Sequence, residues 1–109
     1  MMESIAVLEE LYSAVVADVL DHMGLRNQAL SARICALTPT RRVCGRVFTA
    51  QAVAVAEIPP DPYKLEMKAI DTMQEGDVLV IDAAYNQQSS FWGELLTTAC
   101  IAKGVRGVV

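Results

Sequence analysis

Apolar positions recur at three- and four-residue spacing through the N-terminal part of the chain: Ile5, Leu8, Tyr12, Val15, Val16, Val19, Leu20 and Met23. That spacing places them on one face of a helical segment, which Gly24 closes. Ser13 is positioned to cap a second helix and divide the run in two. From Leu25 to Thr40 the pattern weakens and Pro39 interrupts it. A connecting loop is expected there, anchored by Leu30, Ile34 and Leu37. Between Arg42 and Ile58 the period changes. Val47, Thr49, Gln51 and Val53 alternate with Phe48, Ala50, Ala52 and Ala54, which predicts one or two strands bounded by Gly45 and Pro59-Pro60. Asp61-Pro62 predicts a helix start, with Asp61 as the cap and Pro62 at the first helical position. Leu65, Ala69 and Met73 then share a face, with Ile70 beside them.

"EGDVLVID", Glu75 to Asp82, is a continuous apolar run after a Gly-Asp turn, the pattern of a strand covered on both sides. A polar loop, "AAYNQQSS", leads to a helix from about Trp92 to Lys103 and then to the apolar stretch Val105–Val109. Strand, helix and strand of these lengths predict a βαβ unit, with Gly76–Asp82 parallel to Val105–Val109 and a right-handed crossover. The fold class is therefore α/β: N-terminal helices and a central mixed sheet with a βαβ unit.

Length and charge narrow the functional classes. A chain of 109 residues makes one small domain, whose core is thin because only roughly 60–70% of its unfolded surface can be buried. The hydrophobic share is 53% and the mean hydropathy +0.33, which predicts apolar surface held against other subunits. No apolar run approaches the ~20 residues of a membrane span. The opening "MMESIAVLEELY" is acidic, unlike a signal peptide, so a cytoplasmic protein with no membrane partner is expected. The net charge is −4, and the densest basic cluster is Arg41-Arg42 with Arg46. A sequence-independent nucleic-acid binder needs a positive patch, so no nucleic-acid partner is expected. Cys35, Cys44 and Cys100 lack metal-type pairing and have apolar neighbours, which favours buried inert thiols. His22 is the sole histidine, which argues against a Ser-His-Asp triad or a multi-histidine zinc site within one chain. It is expected on a helix surface near Asp18.

The candidate chemistry sits where the polar loop meets the last helix. Ligands in open α/β sheets favour the crevice beyond the C-terminal ends of the strands. First-turn helix amides are unpaired donors at the positive end of the dipole and attract carboxylates or phosphates. Gly93 lets the backbone approach a ligand closely, and Glu94 is placed to position water or a cation. The plainer alternative makes Glu94 a first-turn acid worth ~0.3–1 kcal/mol to its own helix, with Gly93 relieving crowding beside Trp92. Asp77 reads as a turn residue. Asp82 fits either ligand binding or loop capping. "GVRG" lacks the spacing of a phosphate loop.

"EGDVLVIDA", the polar loop and "FWGELLTTACIAKGVRGVV" together resemble the RraA-like family. That family includes the regulator of ribonuclease activity A and the class II 4-hydroxy-4-methyl-2-oxoglutarate aldolases. "VADVLDHMGLRNQAL" is similar to its opening helix and "CGRVFTAQAV" to its "GPAVTV" strand. The resemblance implies an α/β sandwich assembled as trimers or hexamers, with active sites at subunit boundaries. It implies that substrate carboxylate and keto oxygens meet the turn Gly93, Glu94, Leu95 and Leu96. It further implies an Arg-Asp pair that binds substrate and a divalent cation, usually Mg2+. By the family's spacing that pair falls just past Val109, so residues 1–109 are expected to form the N-terminal portion of an incomplete RraA-like domain, inactive alone as a pyruvate aldolase. A cation held only by Glu94 and helix amides would be weakly bound.

Two classes of function follow from the resemblance. One is a metal-assisted lyase that cleaves a 4-hydroxy-2-oxo acid, or decarboxylates an oxaloacetate-type acid, to give pyruvate. The other is a non-catalytic oligomeric interaction or regulatory module, or a small-anion binder that keeps the Gly93–Leu96 turn. A homo-oligomer, dimer or trimer, is expected, with Trp92, Val108 and Val109 at or near the contact.

Overall fold

The computed structural model describes residues 2–109. Its elements, in chain order, are α1 (Met2–Glu10), α2 (Ser13–His22), β1 (Arg46–Gln51), α3 (Lys64–Thr72), β2 (Asp77–Asp82), α4 (Glu94–Ala102) and β3 (Gly107–Val108). The chain divides into two compact units, Met1–Cys44 and Gly45–Val109.

In the first unit the predicted helical run is split in two. Tyr12 is extended (φ −80°, ψ 145°) and is the cap of α2, so Ser13 begins the helix and makes no side-chain cap. α2 ends in a left-handed Gly24 (φ +79°). The Leu25 amide donates to the Leu20 carbonyl at 2.8 Å and the Gly24 amide to Asp21 at 3.0 Å, the paired bonds of a Schellman closure. Leu30, Ile34 and Leu37 do not anchor the following loop as expected. All three are exposed, Leu37 completely. Leu30 and Ile34 border an open groove with Leu8, Leu11 and Val16, which leaves them about half or more exposed. His22 lies on the exposed surface, its Nδ1 2.8 Å from the Asp18 carbonyl oxygen.

The second unit is built on a sheet of order β1-β2-β3. β1 pairs with β2 from Arg46↔Asp77 to Gln51↔Asp82, and β2 pairs with β3 at Val78↔Gly107 and Leu79↔Val108, all parallel. The predicted βαβ unit is therefore present as β2-α4-β3. The sheet is parallel throughout rather than mixed, because each connection carries a helix that returns the chain to the same end. Backbone bonds from Arg106 to Asp77, Val109 to Leu79 and Ile81 to Val109, each 2.8 Å, lengthen the β2–β3 contact.

α3 begins two residues later than the sequence suggests. Asp61 and Pro62 form a turn, and Tyr63, not Asp61, is the cap. The Lys64 amide reaches the Asp61 carbonyl at 3.4 Å. Of the predicted face, Ile70 and Met73 are buried and Ala69 is half-buried, while Leu65 in the first turn is 77% exposed. β2 supplies the centre of the core, with Val78 and Leu79 buried on opposite faces of the sheet. Ile70, Met73, Leu79 and Cys100 cluster together, and Phe48, Ala50, Ile81, Trp92, Leu96 and Val105 pack against them. α4 closes as α2 does, through Gly104 at φ +75°. Val105 donates to Cys100 at 2.9 Å and Gly104 to Ile101 at 3.0 Å.

Candidate functional site

β2 ends at Asp82, and the loop that follows delivers the chain to the N-terminus of α4. Both oxygens of Asp82 are engaged: Oδ1 accepts from the Ala84 amide at 2.9 Å and Oδ2 from Gln51 Nε2 at 3.4 Å. Of its two readings, loop capping is the one the contacts support. Ala84 and Tyr85 both sit in the left-handed region, at φ 49° and 58°. Non-glycine residues pay of order 1–3 kcal/mol each for that conformation, so the surroundings must hold this turn in place. Asn86 Oδ1 fastens the next stretch by accepting from the amides of Gln88 (2.8 Å) and Ser89 (3.2 Å).

The chain then straightens. Gly93 is extended, at φ −164° and ψ −174°, and caps α4 with no side-chain hydrogen bond to the first turn. Its backbone shape is open to any residue, so shape is not what the glycine is for. A Cβ built there meets no atom within 4 Å beyond the two chain neighbours. The surface over Gly93 is therefore open, and the backbone itself is what a ligand would meet. Glu94 and Leu95 are exposed, Leu95 to 86%, while Leu96 is half-buried against the core. The four sequence-derived site residues are thus consecutive but not equally open, Leu96 turning inward, and the first-turn amides lie at the positive end of the helix dipole.

Two hydroxyls hold this turn that sequence reasoning did not single out. Trp92 Nε1 donates to Thr97 Oγ1 at 2.8 Å, and Thr97 Oγ1 donates to the Gly93 carbonyl at 2.9 Å. Ser90 Oγ donates to the Trp92 carbonyl at 3.0 Å. The available signal was a threonine one helical turn beyond Gly93, where its hydroxyl reaches back to the carbonyl four residues earlier.

The remaining candidates lie elsewhere. Asp77 serves its turn, accepting from the Gln74 amide at 2.8 Å, but it is also fully buried and paired with Arg46. Arg46 Nε reaches Oδ1 at 2.9 Å and Nη2 reaches Oδ2 at 3.2 Å. The Arg46 hydrogen bonds hold the Asp77 carboxyl below its ordinary value, against the opposing push of burial. This pair stands at the N-terminal ends of β1 and β2, the opposite end of the strands from the α4 turn. Of the cysteines, Cys100 is buried, and burial pushes its thiol pKa up; Cys44 is half-buried, and Cys35 is exposed rather than buried as expected.

A divalent cation does not fit the residues described. No group of three or more His, Cys, Asp or Glu side chains comes together among them. Hard cations take six or more oxygen ligands, and Glu94 is the one carboxylate at the turn that is not already holding the loop. No described helix is long and apolar enough to cross a membrane.

A family model described as RraA-like (Aldolase/RraA) matches residues 13–109. No curated protein matches the chain. A solved structure described as "Crystal structure of novel cellulases from microbes associated with the gut ecosystem" is similar, with a TM-score of 0.83 and 26% identity. The match covers 98% of this chain and 48% of that one, so this chain spans about half the length of that structure.

Proposed function

We propose, from the premise that the chain belongs to the RraA-like family, that its α4 turn binds the carboxylate and keto oxygens of a small 2-oxo acid. The turn would serve the lyase chemistry of the aldolase branch, cleavage of a 4-hydroxy-2-oxo acid to pyruvate, in a domain that also supplies the Arg-Asp pair. What supports the reading is the turn at Gly93, extended, open above its backbone and uncapped by any side chain. The amides of Glu94, Leu95 and Leu96 are donors without a helical acceptor at the positive end of α4. They would stabilise a bound carboxylate and, more strongly, the negative charge that grows on the keto oxygen as an enolate forms. Glu94 beside them would orient a water. The family is in general metal-associated, and Mg2+ is the expected ion. Among the described residues no cluster of three or more His, Cys, Asp or Glu side chains is present to hold it.

Trp92, the sole tryptophan, borders the turn and reports on it. Titration with pyruvate or with oxalate, a planar mimic of the pyruvate enolate, is expected to change its fluorescence saturably. Gly93→Ala should abolish that change while leaving the thermal transition within about 0.5 kcal/mol of the parent, since the added methyl meets open space. Absence of any saturable response at millimolar ligand would falsify the reading.

A second reading, an oligomeric or partner-binding module, is supported by the first unit. An open groove there is lined by Leu11, Tyr12, Val16, Leu20, Leu25 and Ile34. Arg26, Arg41 and Arg42 also line it, with the Arg42 guanidinium 4.8 Å over the Tyr12 ring. This reading includes a homo-oligomer, dimer or trimer. Sedimentation equilibrium at micromolar concentration should give a mass above the 11.8 kDa of one chain, and a clean monomer would remove it.

A further inference from the structure

The hydroxyl of Thr97 bonds in two directions. It accepts the indole Nε1 proton of Trp92 and gives its own proton to the Gly93 carbonyl. The same carbonyl accepts the Thr97 amide at 3.0 Å, the bond that starts the α4 ladder. One side chain therefore ties the aromatic ring before the turn to the backbone that forms it. We infer that Thr97 is a positioning residue: it clips Trp92 beside the open backbone of Gly93–Leu96 and so fixes the shape of the anion-binding turn. The inference rests on the 2-oxo acid reading of that turn.

Several observations argue that the clip does more than stabilise a helix end. α4 would retain its first ladder bond without the hydroxyl, because that bond uses the Thr97 amide. Gly93 has no side chain of its own to set its orientation, and no side chain caps the helix. The restraint on where the turn points comes from the Trp92–Thr97–Gly93 chain and from Ser90, whose hydroxyl holds the Trp92 carbonyl. Trp92 is half-buried and packs against the core, so the clip refers the turn to the rigid part of the sheet. Preorganised donors bind an anion without first being ordered, and loosening them raises that cost.

The test uses the full chain and two substitutions. Thr97→Val keeps the shape and removes the hydroxyl; Thr97→Ser keeps the hydroxyl. Hydrogen exchange at the Trp92 indole, read by NMR without ligand, should be faster in Thr97→Val and unchanged in Thr97→Ser. Oxalate titration followed by Trp92 fluorescence should weaken about tenfold in Thr97→Val and stay within about twofold in Thr97→Ser. The thermal midpoints of all three proteins should agree closely. If the indole proton exchanges equally fast in Thr97→Val and the parent, the clip does not exist in solution and the inference fails whatever the ligand does. If the parent binds oxalate and Thr97→Val binds it equally well, positioning fails while the 2-oxo acid reading stands. If the parent shows a protected indole but no oxalate binding, the 2-oxo acid reading fails, and the positioning role falls with it.

Discussion

The two units of this chain have much the same raw material and use it differently. Met1–Cys44 carries the longer helical hydrophobic pattern, yet among the described residues every buried side chain belongs to Gly45–Val109. Val15, Val19 and Met23, all on the predicted face of α2, are exposed. Val78 and Leu79 on β2 are buried. The difference lies in what meets each face. The stripe of α2 is covered only in part: Val16 and Leu20 are half-buried and line an open groove, while Val15, Val19 and Met23 stay exposed. β2 is flanked by strands on both edges, and its side chains meet α3 and α4 residues in the core. Amphipathicity marks a surface that wants covering; backbone pairing is what brings the cover.

The sharpest way to break this comparison is to cut one leucine from each unit. Leu79→Ala removes a buried side chain from the core cluster and should cost about 2–4 kcal/mol in urea denaturation. Leu37→Ala removes a fully exposed one and should cost less than about 0.5 kcal/mol. Similar losses at a fixed protein concentration would mean that Leu37 is covered in solution.

A smaller effect is expected at Asp77. Asp77→Asn weakens both Arg46 bonds and should cost about 1–3 kcal/mol at neutral pH. The folded carboxyl titrates below its ordinary value of 3.8, so its contribution is complete above that value. It is lost as pH falls through the folded pKa. The parent should therefore lose stability below about pH 4 more steeply than Asp77→Asn. Parallel acid limbs in the two proteins would count against the pair.

The smallest effect compares the two helix closures. Gly104→Ala and Gly24→Ala each force a methyl into the left-handed region, at about 1 kcal/mol. At Gly104 the new Cβ would also meet Glu75 Cγ at 2.8 Å, whereas at Gly24 it meets nothing within 4 Å. Gly104→Ala should be the more damaging by several tenths of a kcal/mol, read from paired thermal melts.

Much of the second unit was legible in the sequence. "EGDVLVID" is apolar without alternation, and only a strand covered on both faces tolerates that. The α4 turn was legible because Gly93-Glu94 opens an apolar helix straight after a polar loop. What escaped notice depends on tertiary context. Asp61-Pro62 has the residues of a helix start, but the same residues make a turn, and nothing local separates the two. The Arg46–Asp77 pair joins residues 31 positions apart, which only the β1–β2 register brings face to face. Nothing in "LLTTACIA" sets Thr97 apart from its neighbours; only the fold brings Trp92 Nε1 to its hydroxyl.

That register carries a consequence for how the chain avoids wrong pairings. Between the polar ends, β1 and β2 offer apolar or neutral residues on both faces, and a slip of two residues would leave every side chain on its original face. Hydrophobic burial alone therefore discriminates weakly between the native alignment and its nearest competitor. The charged ends do not share that tolerance. Slipped by two, Asp77 would sit opposite Phe48, its carboxylate buried with no guanidinium, and the Gln51–Asp82 contact at the far end would open as well. A buried carboxylate without its partner is among the costliest errors a small fold can make. The ion pair thus acts as a proofreading mark on strand alignment, and the place to look for it is the refolding record. Asp77→Asn is the variant in which misaligned, slowly correcting species should accumulate.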